Sequence, residues 1–146
     1  MALSTFGAIM GFAAQMVGQT RDTYRALIEK AKDPALKELL QALAVEKEKN
    51  YSLMEKTRRE NVTEMILEPV TGLHEEDYKV DLQELEQKDD ADVLRVALIL
   101  EQREKNFFQD ASTKLPLPEV ARIFRKISQK MEEDLEKLQR LGLNQM

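Results

Sequence analysis

Glu101 is the residue whose type and position most invite chemistry. Counting in steps of three and four through the run from Ala97 to Phe108 places Leu94, Ala97, Glu101, Glu104, Phe108 and Ala111 on one helical face, so a carboxylate interrupts an apolar stripe. An acid facing a core is a metal ligand, a catalytic group or one end of a buried ion pair, because a lone charge in apolar surroundings is too costly. Two pairs at i, i+3 spacing face the same way on other helices, Lys47 with Asn50 and Met131 with Asp134. One reading makes Lys47, Glu101 and Asp134 a buried triad, with Asn50 completing its hydrogen bonds. The other makes Glu101, Asp134 and Asn50 the remnant of a site for one divalent ion, with water at the open positions. Glu104 shares the seam and has no evident partner.

Other chemistry finds little support. His74, the single histidine, sits in a loop beside Glu75 and Glu76 and reads as solvated. No serine or threonine has a histidine to activate it within a motif, and no phosphate-binding glycine loop is present, so no catalytic residue is assigned. The absence of cysteine removes disulfides, thiolate metal sites and thiol nucleophiles, and it is compatible with the expected cytoplasmic location. A net charge of -5 and the lack of a dense Lys/Arg cluster argue against a nucleic-acid partner. Residues 1–20 carry no charge, but they lack a basic leader and are interrupted by Gln15 and Gln19. They read as a buried helix rather than a signal peptide, and no other uncharged run approaches the ~20 residues that span a bilayer.

The elements that must position these residues are helices. At 146 residues, 34% charged and 5% aromatic, the chain is expected to be all-α and one domain over residues 1–146. A first hairpin is expected over 4–57, a crossover over 58–89 and a second hairpin over 90–142. Ser4 or Thr5 caps the first helix. Asp33-Pro34 opens the second, Asp89 or Asp90 caps the third, Pro118 opens the fourth, and Gly142 reads as its left-handed C-cap. The connection is broken by Glu68-Pro69 and Thr71-Gly72, with a helical turn expected near 81–87. Its length makes sense if the second and third helices run parallel, so that the chain must return the length of the bundle.

The two hairpins are also an internal repeat. Adding 84 carries Ala13 onto Ala97, Tyr24 onto Phe108, Pro34 onto Pro118, Leu40 onto Phe124, Leu43 onto Ile127 and Met54 onto Leu138. Val17 then falls on Glu101, Lys47 on Met131 and Asn50 on Asp134.

This framework resembles the ferritin-like superfamily, and within it the rubrerythrin-type domain. The resemblance is carried by Phe12-Ala13 through Tyr24, by Lys32 through Leu40, by Leu100-Glu101 with Phe107-Phe108, and by Phe124 through Leu138. It implies a four-helix bundle of two hairpins joined by one long crossover, with a di-iron or di-manganese centre held by a Glu from each of two helices and a Glu-x-x-His pair from each of the others. The carried-over ligand positions here are Val17, Lys47, Asn50, Glu101, Met131 and Asp134, and only Glu101 keeps the family's residue. Val17, Lys47 and Met131 are lost ligands. Glu46, Glu48, Glu132 and Glu133 lie about 100° or more away around their helices and are expected on flanks or in solvent. The expectation is therefore a bundle whose di-metal site is lost, without a cofactor, acting as a non-catalytic scaffold or interaction protein. It is expected to be a homodimer, with a possible further protein partner and with neither nucleic acid nor membrane. The alternative is a metal-binding ferritin-like protein that handles iron or another divalent metal, with redox activity, through a residual site.

Overall fold

Helices begin here where a side chain satisfies the first free N–H groups or where a proline removes one of them. The computed structural model describes residues 1–61 and 69–145, with side chains to Gly142 in the last helix. Helix α1 spans Phe6–Lys30, α2 Pro34–Glu60, α3 Asp90–Ser112 and α4 Pro118–Gln145. The Thr5 hydroxyl accepts from Ala8 N at 3.0 Å, Asp33 accepts from Leu36 N at 3.0 Å, and Asp89 accepts from Asp92 N at 2.9 Å. Pro34 and Pro118 occupy first helical positions, where a missing N–H costs nothing. Both α3 and α4 start 84 residues after their counterparts, so the sequence repeat is also a repeat of helix starts.

The described residues are all-helical apart from loops and one isolated antiparallel bridge between Ala2 and His74. Three residues join α1 to α2 and five join α3 to α4, so each pair is an antiparallel hairpin. Helix α1 also lies against α3, and α2 against α4. Contacts of Phe12 with Phe107, Thr20 with Arg103, and Tyr24 with Ala97 run in opposite chain directions along α1 and α3. Helices α2 and α3 therefore point the same way. Asp90 fastens one hairpin to the other, its two oxygens accepting from the backbone of Lys32 and Asp33 at 2.9 Å each.

Several local details differ from expectation. Helix α2 runs to Glu60, three residues beyond the expected end of the hairpin. Residues 62–68 lie outside the described residues, so the expected break at Glu68-Pro69 is only partly covered. The expected turn near 81–87 is a shorter 3₁₀ turn at Leu82–Glu84, and a second one at Glu75–Tyr78 had no signal in the helical period. Gly72 has a φ of 87°, a conformation that favours glycine, and it supplies the bend expected at Thr71-Gly72. Gly142 is not a left-handed cap: α4 continues through it to Gln145.

The core is in two parts. One joins the start of α1 and the end of α2 to Phe107, Phe108, Phe124 and Met131. The other joins Tyr24, Leu27, Leu36, Leu40 and Leu43 to Val93, Ala97, Leu100 and Leu138. Between Val17 and Tyr24, Ala44 and Met54, Leu100 and Phe107, and Met131 and Leu138, the buried residues include Thr20, Lys47, Glu101, Glu104 and Asp134. A polar layer thus crosses all the long helices at one level.

Candidate functional site

The layer centres on Lys47. Its side chain and those of Glu101 and Glu104 have no exposed surface, and its Nζ stands 2.8 Å from Glu101 Oε1 and 3.2 Å from Glu104 Oε1. Glu101 and Glu104 are one turn apart on α3, so one ammonium reaching across from α2 meets both. Tyr24 donates its hydroxyl to Glu101 Oε1 at 2.8 Å from the α1 side. Arg103 reaches toward α1 and donates to Thr20 Oγ1 at 2.8 Å, with its guanidinium in electrostatic reach of Glu104 and Glu101. Two cations and two carboxylates therefore share the centre.

Burial alone would lower the pKa of Lys47, but Glu101 and then Glu104 outweigh it and hold the amine well above its ordinary value. For Glu101, burial pushes the carboxyl upward. The Lys47 ammonium opposes this push, Glu104 adds to it, and the hydrogen bond from Tyr24 opposes it. Tyr24 is raised well above the usual phenol value, by burial first and then by the charges of Glu101 and Glu104. Such an amine is a poor nucleophile and such a phenol a proton-holding donor. The arrangement neutralises charge and fixes geometry.

Hydrogen bonding in the layer is incomplete. Glu101 Oε2, both Glu104 oxygens, Arg103 Nε and Asp134 Oδ2 are buried without a hydrogen-bond partner. The Lys47 contacts have ion-pair distances without hydrogen-bond geometry. Buried ions held in this way add little net stability, because desolvation offsets much of the Coulomb attraction.

The sequence-expected triad is corrected in its third member. The second acid on Lys47 is Glu104. Asp134, 2% exposed, accepts from Lys130 Nζ at 2.6 Å, one turn earlier on α4, and shares a hydrogen bond with Glu46. Lys130 is also 3.6 Å from Glu46, which turns toward α4 instead of sitting on a solvated flank. A short i, i+4 reach on its own helix captures Asp134 before Lys47 can. Asn50 is half-buried and completes no hydrogen bond in the cluster. The residual metal candidates Glu101, Asp134 and Asn50 are thereby divided between separate groups. Val17 and Met131, both fully buried, pack as apolar core.

The second group has its own electrostatics. Burial, then the hydrogen bond and charge of Asp134, push Glu46 up to about 8. Asp134 is held below its ordinary value because hydrogen bonds from Glu46 and Lys130 outweigh its burial. The two acids titrate as a pair, with Glu46 the member pushed upward and Asp134 the member held down.

The donor set does not fit a di-metal centre. Two apolar side chains, an ammonium and an amide occupy the positions that the ferritin-like resemblance implies as ligands, and the Lys47 charge already offsets the acids that two dications would need. Among the described residues no group of three or more His, Cys, Asp or Glu side chains is arranged to hold a metal ion. No described helix is long and apolar enough to cross a membrane.

Sequence reading missed Arg103, Glu46, Lys130 and the hydroxyl of Tyr24. Two signals were present: Glu46 and Lys130 are equivalent under the 84-residue repeat, and Tyr24 carries the one polar atom that its repeat partner Phe108 lacks. Arg103 gave no signal, since it lies off the apolar seam and reaches its partners by length alone. Compared with known proteins, the chain matches no family model, no curated protein and no solved structure.

Proposed function

We propose that the chain is a ferritin-like four-helix bundle of rubrerythrin type that has exchanged its di-metal centre for an ion cluster and serves as a non-catalytic scaffold or interaction protein. The observation that carries this reading is Lys47 Nζ at 2.8 and 3.2 Å from Glu101 and Glu104 in the middle of the core. The matching helix starts of the two hairpins and the parallel course of α2 and α3 support the bundle. The protein is assigned to the cytoplasm as a homodimer.

The test is metal content by plasma mass spectrometry after anaerobic refolding with ferrous iron, for wild type and for Lys47→Glu. Wild type is expected to retain less than about one-tenth of an equivalent. Uptake near one or two equivalents that is lost in Glu101→Ala overturns the reading. A competing reading, an iron- or divalent-metal-handling protein with redox activity, draws on Asp134 Oδ2, which is buried and without a hydrogen bond. It predicts uptake that is lost in Asp134→Asn.

A further inference from the structure

The outer side of the α2–α4 seam differs from the rest of the surface. Val45 is 56% exposed, and with Met1 it makes up the exposed large hydrophobics of the described chain. It borders a groove of about 360 Å³ between α2 and α4, with Leu39, Ala42 and Val45 on its α2 side, the Glu46–Asp134–Lys130 group in its lining, and Lys49 and Lys137 beside it. Lys130 is engaged by Asp134 and Glu46. Lys49 and Lys137 have no ion pair within 4.0 Å among the described residues. The groove therefore pairs an apolar α2 side with two unneutralised ammonium groups, one on each helix, while Lys130 engages the two carboxylates of its lining, on a chain whose net charge is -5.

We infer that the α2–α4 groove is a docking site for an acidic amphipathic helix of a partner protein, whose apolar face covers Leu39, Ala42 and Val45 and whose flanking carboxylates meet Lys49 and Lys137. The inference rests on reading the chain as an interaction protein and names the chemistry of its partner. The lining comes from two helices only, which makes a trough and not an enclosed cavity. Small-molecule sites bury most of their ligand, whereas a trough between two helices suits a third helix laid along it. Cations on both walls select acidic flanks and reject basic ones.

The probe is a synthetic amphipathic helix of about 20 residues with leucines on one face and glutamates flanking them, compared with its lysine-flanked counterpart by fluorescence anisotropy at low and high salt. The glutamate peptide is expected to bind, about tenfold or more weaker to Val45→Asp and to the Lys49→Glu/Lys137→Glu double variant, and weaker in salt. The lysine peptide is expected not to bind. Val45 is exposed, so Val45→Asp should keep the wild-type circular-dichroism melt, which separates lost docking from lost folding.

The site is overturned by no binding of the glutamate peptide, by binding that ignores these substitutions, or by equal binding of the lysine peptide. It is equally overturned if sedimentation shows a dimer that Val45→Asp dissociates, since a second copy then fills the groove, or if dodecanoate occupies it and the peptide does not. A peptide that fails to bind an iron-free protein removes the docking site and leaves the scaffold reading standing. Iron bound through Glu101 removes both.

Discussion

Lys47 neutralises two acids at once, so truncating it strands both. Lys47→Ala is expected to cost about 3–5 kcal/mol in urea unfolding, most of it the penalty of leaving Glu101 and Glu104 charged and unpaired. Replacing all three together, with Lys47→Met, Glu101→Gln and Glu104→Gln, is expected to recover most of that loss. If the triple variant is as unstable as Lys47→Ala, the cost lies in packing instead of charge. Glu46 governs the pH dependence. Its carboxyl titrates at about 8 in the folded chain against an ordinary value of 4.5, so between these values the folded state binds more protons than the unfolded one. Stability should therefore fall as pH rises through that window. The expected loss is roughly 1–2 kcal/mol, kept small by solvent screening of a partly exposed group. Glu46→Gln should flatten the slope in urea midpoints measured from pH 5 to 9. Asp134 works in the opposite sense: held below its ordinary 3.8, it contributes stability above that pH that is lost as pH falls through its folded value.

Helix α1 carries its glycines for different reasons. A Cβ on Gly18 would meet the Tyr51 ring at 3.3 Å, a close approach between α1 and α2. At Gly11 the nearest atom would be the end of Arg58 at 3.8 Å, an ordinary contact. Gly11→Ala should therefore stabilise the protein by about 0.5–1 kcal/mol through helix propensity, while Gly18→Ala gains nothing because Tyr51 must shift. Paired thermal melts check the contrast, and equal shifts in the two variants would refute it. The helix starts were legible because Thr5, Asp33-Pro34, Asp89 and Pro118 act locally, each through its own side chain or ring. The end of α4 was not legible. Gly142 can end a helix or continue one, and a Cβ there would meet Leu94 at 3.0 Å, so its smallness serves the contact with α3.

Across the whole molecule, the polar layer divides the core into two apolar halves without exposing either. Holding the hairpins together at that level falls to Lys47, Tyr24 and Arg103, which bring their own protons and charge. Folding should then be independent of divalent metal. The midpoint of thermal unfolding is expected to move by less than about 1 °C with excess chelator or with added manganese, as the proposed reading without a metal centre requires. A rise of several degrees with metal would contradict this.

The sequence by itself determined the helical class, the helix starts, the 84-residue repeat and the fact that Glu101 and Lys47 face the core, because period, caps and prolines act over a few residues. It also placed Val17, Lys47 and Met131 where the resemblance implies ligands, and residue type alone decides that those side chains do not replace a metal-binding carboxylate. Only the tertiary structure decided who pairs with whom. Glu104 instead of Asp134 completes the contacts of Lys47, and Glu46 turns toward α4, within 3.6 Å of Lys130. Those choices depend on the stagger of α2 against α3 and α4 and on the reach of long flexible side chains. One turn of stagger is about 5.4 Å, more than the difference between an ion pair and no contact, and periodicity along a single helix carries no information about it.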